Sequence, residues 1–346
     1  MGGHYCINSG DLIMLKVAIV GNGNICNRAH IPAWRSVKDA EIVAVCDIMK
    51  ERAERAAKEV NAKAYTSIDD LLSEEVDVID LCVPTHLHAE LAIKSLKAGK
   101  HVICEKPISN NLQDAKAMIK AAKENGKRLF IAHTRRFDPR FLRIKEAVDR
   151  EKIGTPVYLQ RSERSWLPFQ DTWHWDPKKS GGVLLDVGIH CVDMARWFLD
   201  AEPIEVFAKG KTIREEAKRS GCYDFAVLLI KFKGEKRAII EVSWAHPKEW
   251  APFYSNLTII GTQGKIEYSD KDSNPMVVVT EGKISFPRYS PLLSAPLEAF
   301  SGELSHFLKC ITKGIEPRIT PDDAYIALKV IKVAENSIKE GRPIEI

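Results

Sequence analysis

The chain has 346 residues, a length that suits two domains. Basic and acidic residues nearly balance, 51 against 47, for a net charge of +4; this excludes a nucleic-acid-binding stripe as the main purpose. No apolar run is long enough to span a bilayer, and the first residues lack a cationic start, a long apolar core and a small-residue cleavage site, so a cytoplasmic protein without a membrane partner is expected.

Residues 1–13 read as an irregular N-terminal extension. From residue 14 to 135 apolar runs alternate with segments rich in Ala, Lys and Glu. The runs are Val17–Val20, Ile42–Cys46, Val78–Val83, Val102–Cys104 and Leu129–Ala132; helical spacing falls at Lys50–Val60, Ile68–Leu72, His88–Ala98 and Leu112–Asn125. Short buried strands alternating with helices predict α/β architecture, a doubly wound parallel sheet with right-handed crossovers. Ligands of such sheets gather beyond the carboxyl ends of the strands. Here those ends read Gly21–Asn24, Asp47, Pro84–His88, Glu105–Pro107 and His133–Arg136, all polar or bearing Gly or Pro.

The first end carries the clearest chemistry. In Lys16–Arg28 a buried-type strand breaks at Gly21 and Gly23 and leads into a helix. Gly21 allows the sharp turn, Gly23 lets backbone approach a pyrophosphate, and the helix start offers free N–H groups. About 20 residues on, at the fingerprint spacing, the second strand ends in Asp47, a carboxylate able to accept hydrogen bonds from both ribose hydroxyls. Cys26 occupies the third small position, where Gly or Ala is usual, and loosens helix–strand packing slightly. The alternative is an ordinary Gly turn of the same fold.

Glu105-Lys106-Pro107 follows the fourth predicted strand. An amine there can stabilise a developing alkoxide and relay a proton; the Lys106–Pro107 bond can be cis, and a plain surface turn is the alternative. Thr85-His86-Leu87-His88 favours cofactor contact or helix capping over metal binding. Arg135-Arg136 either pairs with phosphate or is solvated. The eight cysteines include no C-x-x-C pair; Cys46, Cys82 and Cys104 close apolar runs and read as reduced, buried thiols.

From residue 136 to 346 the texture changes to a second domain. After a helix at Pro139–Arg150, strand-like alternation recurs at Val157–Glu163, Ile204–Lys209, Asp224–Phe232, Arg237–Ser243, Asn256–Gly261, Lys265–Tyr268 and Met276–Thr280. Gly turns at Lys233–Lys236 and Thr262–Gly264 predict hairpins and a mostly antiparallel sheet. Within this domain Ser180–Asp193 holds Gly181, Gly182 and Gly188 around Asp186 and His190, which share one face if the segment is helical. Such a pair can orient a hydroxyl and accept its proton, with Asp193 as a candidate partner of His190. A structural polar cluster is the alternative; half a metal site is disfavoured because no third ligand lies at metal spacing, so no metal is expected. Trp166, Trp173, His174 and Trp175 form an aromatic loop that either stacks on sugar C–H faces or packs on its own domain. Two helices end the chain, the second set off by Thr320 as N-cap, Pro321, Asp322, Asp323 and a final Gly341.

Four stretches together carry a resemblance: GNGNIC with Asp47, VPTHLHAELAIKSLKAGKHVICEKP, DPKKSGGVLLDVGIHCVD and RITPDDAYIALKVIKVAENSIKEGRPIEI. Over nearly its whole length the chain resembles the Gfo/Idh/MocA oxidoreductases. The resemblance implies a Rossmann domain followed by an α/β domain whose large open sheet mediates homodimers or homotetramers. It implies catalysis by Lys106, Asp186 and His190. It also implies an NAD(P) site built from Gly21, Asn22, Gly23, Asn24, Ile25, Asp47, Pro84, Thr85, His88, Glu105 and Lys106. Ser180 departs from the family, which often has a third Gly there. The expected activity is NAD-dependent oxidation or reduction at a hydroxyl or carbonyl of a small-molecule sugar, sugar derivative or cyclitol such as inositol. Asp47 favours NAD over NADP because a carboxylate repels a 2′-phosphate. Two further readings stand beside it: an NAD-assisted glycosidase and a non-catalytic NAD-binding regulator.

Overall fold

The computed structural model describes residues 14–167, 173–246, 253–270, 276–280, 283–286 and 295–346. The expected extension, residues 1–13, lies outside the described residues.

Two sheets organise the chain. The first has six parallel strands: β1 Leu15–Val20, β2 Ala40–Cys46, β3 Lys63–Tyr65, β4 Val78–Leu81, β5 His101–Glu105 and β6 Leu129–Ala132, in spatial order 3-2-1-4-5-6. Every strand of β1, β4, β5 and β6 is almost wholly buried, which is why each reads as an unbroken apolar run rather than an alternation. Strand order reverses between β1 and β4, and the crevice beyond their carboxyl ends is where ligands of such sheets bind. β3 went unforeseen: it has three residues, two of them exposed, and carries no apolar signal.

The second sheet has nine strands: β7 Pro156–Ser165, β8 Pro203–Lys211, β9 Phe225–Phe232, β10 Arg237–Ser243, β11 Phe253–Gly261, β12 Gly264–Ser269, β13 Met276–Thr280, β14 Lys283–Ser285 and β15 Ile344–Glu345. All pairings are antiparallel except the parallel central pair β7 and β10. The edge strands β14 and β15, too short to leave a pattern, and the helix Glu215–Ser220 were also not anticipated. In β9 the buried Ala226, Leu228, Ile230 and Phe232 alternate with outward residues, of which Leu229 is 45 % exposed. Helices Ile189–Leu199 and Pro321–Glu340 pack against this sheet. Each fully buried Leu, Ile or Phe in such a layer contributes roughly 1.5–3 kcal/mol.

Helix Ala295–Lys313 leaves the second sheet and packs on the first. Its Leu304, Phe307 and Leu308 share a core with Val17, Ile19, Trp34 and Phe130, and Phe307 stacks on Phe130 at 4.6 Å. The last helix starts as its sequence indicates. Thr320 Oγ1 accepts from the Asp323 N–H, and the Asp323 carboxylate accepts from the Thr320 N–H. The chain therefore spans both sheets twice, and a cavity opens between them.

Candidate active site

The parallel order puts all five polar strand ends on one edge. At the first, Gly21 has φ +91°, and a Cβ there would stand 2.6 Å from the Cys82 carbonyl oxygen at the end of β4, so only glycine fits. A Cβ on Gly23 would meet nothing within 4 Å; the loop faces open space there. Helix begins at Asn24 and widens to a π turn over Cys26–His30 before continuing to Ser36. The widening falls where Cys26, fully buried, replaces the usual smaller residue. Asp47 ties the turn to the end of β2: one carboxylate oxygen accepts from the Asn22 N–H at 2.8 Å and the other from the Met49 N–H at 2.9 Å. Each oxygen keeps a further lone pair for a ribose hydroxyl. Ile48 beside it is 92 % exposed, a flat apolar surface at the mouth of the crevice. The turn, the open Gly23, the free helix start and the acid fit a dinucleotide.

The other strand ends build the walls. Thr85 is buried, and His88 clamps two loops, its ring nitrogens within 2.8 Å of the Pro107 carbonyl and 3.0 Å of the Val83 carbonyl. Burial lowers its pKa against the opposing pull of the two carbonyls. The Lys106–Pro107 bond is cis. Lys106 reaches across to the second half of the chain: its Nζ donates to Asp186 Oδ1 at 2.6 Å and to the Asp186 carbonyl at 3.0 Å. Asp186 sits in a π turn, Leu184–Gly188, entered through Gly181 at φ +73° and Gly182 at φ +68°; a Cβ on Gly182 would stand 2.7 Å from Cys222 Sγ. Ser180, in place of a further glycine, donates its hydroxyl to the His174 carbonyl and accepts from the Gly182 N–H, which pins the same bend. Burial alone would raise the Asp186 carboxyl; the Lys106 ammonium outweighs it and holds the pKa low.

Lys106 and His190 line one cavity of 290 Å³, together with Ile25 from the glycine-turn helix, Thr134, Arg135 and Phe300. His190 is fixed by the helix Ile189–Leu199. Its Nδ1 is sealed from solvent and has no hydrogen-bond partner among the described residues. Burial, then the nearby cations Lys106, Arg135 and Arg161 together with His133, drive its pKa well below the usual value, so the ring is neutral. Among the described residues no hydrogen bond joins Asp186 to His190; the two meet through Lys106.

Several expectations change here. Asp193 is not the partner of His190: its carboxylate accepts from Arg136 Nε and Nη2, at 2.9 and 2.7 Å. Arg136 is thus buried in an ion pair, neither solvated nor open to phosphate, and Arg135 pairs with the buried Glu163 at 3.3 Å. The aromatic loop divides. Trp175 packs edge-on against Trp244, and Arg214 lies over both Trp166 and Trp175. Trp173 stacks on His174 at 4.1 Å, and the His174 ring feels both Asp186 and Lys106.

Behind the cavity lies a charged cluster that sequence reasoning missed. His30, fully buried, places Nδ1 2.8 Å from Asp80 and Nε2 3.0 Å from Glu105. Trp34 donates to the same Asp80 oxygen at 2.7 Å, and the Lys106 N–H donates to Glu105 at 3.0 Å. Burial opposes a charge on His30, but the two carboxylates prevail and raise its pKa well above the usual value. His30, Asp80 and Cys82 also stand close enough to hold a metal ion. Nearby, Glu303 is fully buried and accepts from the Thr134 hydroxyl at 3.0 Å; burial and then the charge of Glu105 push its carboxyl well up. Glu105 was read only as a cofactor-site residue, and Asp80 left a faint sequence trace, a carboxylate inside the otherwise apolar run VIDL.

A six-stranded dinucleotide fold joined to a pocket that holds a neutral histidine and a lysine paired with an aspartate defines a nucleotide-dependent oxidoreductase. Residues 15–133 match the oxidoreductase family with an NAD-binding Rossmann fold, and residues 141–267 match the GFO/IDH/MocA C-terminal domain. The chain belongs to this Gfo/Idh/MocA family. It is 30 % identical to the myo-inositol 2-dehydrogenase of Thermotoga maritima over 96 % of this chain and 98 % of that one. It is 29 % identical to the scyllo-inositol 2-dehydrogenase (NAD(+)) of Bacillus subtilis over 96 % of each chain. A crystal structure from Thermotoga maritima superposes with a TM-score of 0.83 at 31 % identity, covering 96 % of this chain and 98 % of that one.

Proposed function

We propose that the chain is an NAD-dependent dehydrogenase acting on a secondary hydroxyl of a sugar, sugar derivative or cyclitol, with inositols the first candidates because of the relatives named above. The observation that carries this reading is the 2.6 Å contact from Asp186 to Lys106, which lines the 290 Å³ cavity together with His190 and Ile25 of the glycine-turn helix. The bound nicotinamide supplies the acceptor for the carbinol hydrogen and its electron pair. Asn22, Asn24, Ile25, Pro84, Thr85 and Glu105 form the walls of that site, Asp47 takes the ribose, and His88 fixes the loops around it. Lys106, held in place by Asp186, sets its ammonium beside the reacting oxygen and stabilises the negative charge that develops there. The neutral His190 takes the hydroxyl proton. Asp186, 29 % exposed, keeps a second carboxylate oxygen for a substrate hydroxyl.

Asp47 favours NAD over NADP, since its carboxylate repels a 2′-phosphate. Outward apolar residues of the nine-stranded sheet, Val157, Leu229 and Ile260, support a homodimer or homotetramer through that face. The seven cysteines among the described residues are buried and unpaired, which suits a reducing cytoplasm, and no described helix is long and apolar enough to cross a membrane.

The test is NADH formation from a panel of sugars and cyclitols that starts with myo- and scyllo-inositol, repeated with NADP+. Wild type should turn over at least one polyol with NAD+. Lys106→Ala and His190→Ala should each lose about 10²–10⁴-fold in kcat. Unchanged rates in both variants would remove the mechanism. Sugar release without net NADH would favour the glycosidase reading, and tight NAD binding with no reaction the regulator.

A further inference from the structure

We infer that His133 is the second member of a proton-transfer pair, receiving from His190 the proton that His190 takes from the substrate. This rests on the role of His190 proposed above. His133 stands at the carboxyl end of β6, fully buried, and meets His190 edge-on with ring centroids 6.0 Å apart and planes at 76°. Neither ring nitrogen of His133, nor Nδ1 of His190, has a hydrogen-bond partner among the described residues. Two edge-on imidazoles with unpaired nitrogens, centred 6.0 Å apart, suit proton transfer across one bridging water rather than direct transfer.

The surrounding charges give the transfer a direction. His190 feels the cations Lys106, Arg135 and Arg161. His133 feels Arg136 and Lys106, but also the carboxylates Asp193 and Glu105. Its Nδ1 is 3.7 Å from Asp193 Oδ2. Asp193 is held in place by Arg136. Burial lowers both histidines, and His190 further than His133. A proton that is repelled on His190 therefore meets a carboxylate on His133.

The step balances. The substrate O–H breaks as an N–H forms on His190, while the C–H electron pair leaves with its hydrogen to the nicotinamide. The His190 N–H then breaks as one forms on His133. After the product leaves, that proton returns through His190 to the opened cavity and passes to solvent.

The test uses the full-length protein with NAD+ and the fastest polyol from the panel, in single turnover. His133→Asn should lower the rate of the chemical step about a hundredfold. Added imidazole buffer should restore much of that rate, with wild type indifferent to buffer. On a His190→Ala background the same change should cost nothing further. In the cofactor-free protein, ring ¹⁵N NMR should show the His190 ionisation moving up towards its ordinary value in His133→Asn. A wild-type rate in His133→Asn, a loss that no buffer restores, or an unmoved His190 ionisation would each overturn the inference while leaving His190 as the base. Full activity in His190→Ala would overturn the underlying reading instead.

Discussion

Two histidine clusters flank one cavity and are charged in opposite ways. On the nucleotide side His30 sits between Asp80 and Glu105 and is an imidazolium. On the other side His133 is as deeply enclosed and His190 is half-buried, yet Lys106, Arg135 and Arg161 crowd around His190, and both rings are neutral. Burial opposes charge in both places. The neighbours decide the outcome: two carboxylates overcome desolvation, and several cations add to it. A ring whose charge is fixed serves as a brace beneath the cofactor-binding edge. A ring kept neutral beside an ammonium is free to accept a proton.

That contrast can be broken from either side. The largest effect on stability should come from Asp80→Ala, which strips His30 of one carboxylate and Trp34 of its acceptor. Breaking a buried ionic cluster by removing one partner costs roughly 3–5 kcal/mol, read as a shift in the urea midpoint. An unchanged midpoint would mean that the His30 cluster is not a brace.

A smaller effect separates the cofactor edge from the fold. Gly21→Ala places a Cβ against the Cys82 carbonyl at positive φ and should destabilise the protein by about 1–3 kcal/mol. Gly23→Ala meets open space, so it should leave the melting temperature unchanged and weaken NAD binding. Equal NAD affinity in Gly23→Ala and wild type would place the pyrophosphate elsewhere.

The smallest effect is in the pH dependence of stability, at most about 1.4 kcal/mol per pH unit for each group. The pKa of His30 is raised on folding. Its contribution is complete below about pH 6.5 and fades as pH rises towards the folded value. Those of His190 and His133 are lowered. Their neutral forms favour the fold above about pH 6.5, and stability falls as pH drops below it towards their folded values. His30→Gln should flatten the alkaline limb and His133→Asn the acid limb. Identical limbs in all three proteins would deny the contrast.

The sequence made the brace and the pocket unequally legible. Lys106, Asp186 and His190 stand at strand ends or beside paired glycines, where residue type and punctuation point to chemistry. The glycine turn and Asp47 follow from spacing. His30, Asp80, Glu105 and Glu303 are partners across the fold: His30 lies fifty residues from Asp80 and seventy-five from Glu105, and nothing local announces the contact. Asp193 shows the converse error. Three positions from His190 it looked like a neighbour, but Arg136, fifty-seven residues away in the chain, claims it with two nitrogens. Strands were found where burial is continuous or alternating, and missed at β3, β14 and β15, where two or three half-exposed residues pair at an edge.

The charge states themselves can be read in one spectrum. Ring ¹⁵N NMR of the cofactor-free protein at neutral pH, with His30, His133 and His190 assigned by substitution, should show both nitrogens of His30 protonated and one bare nitrogen on each of the other two. A protonated His190 under those conditions would contradict its place as the group that accepts the substrate's proton.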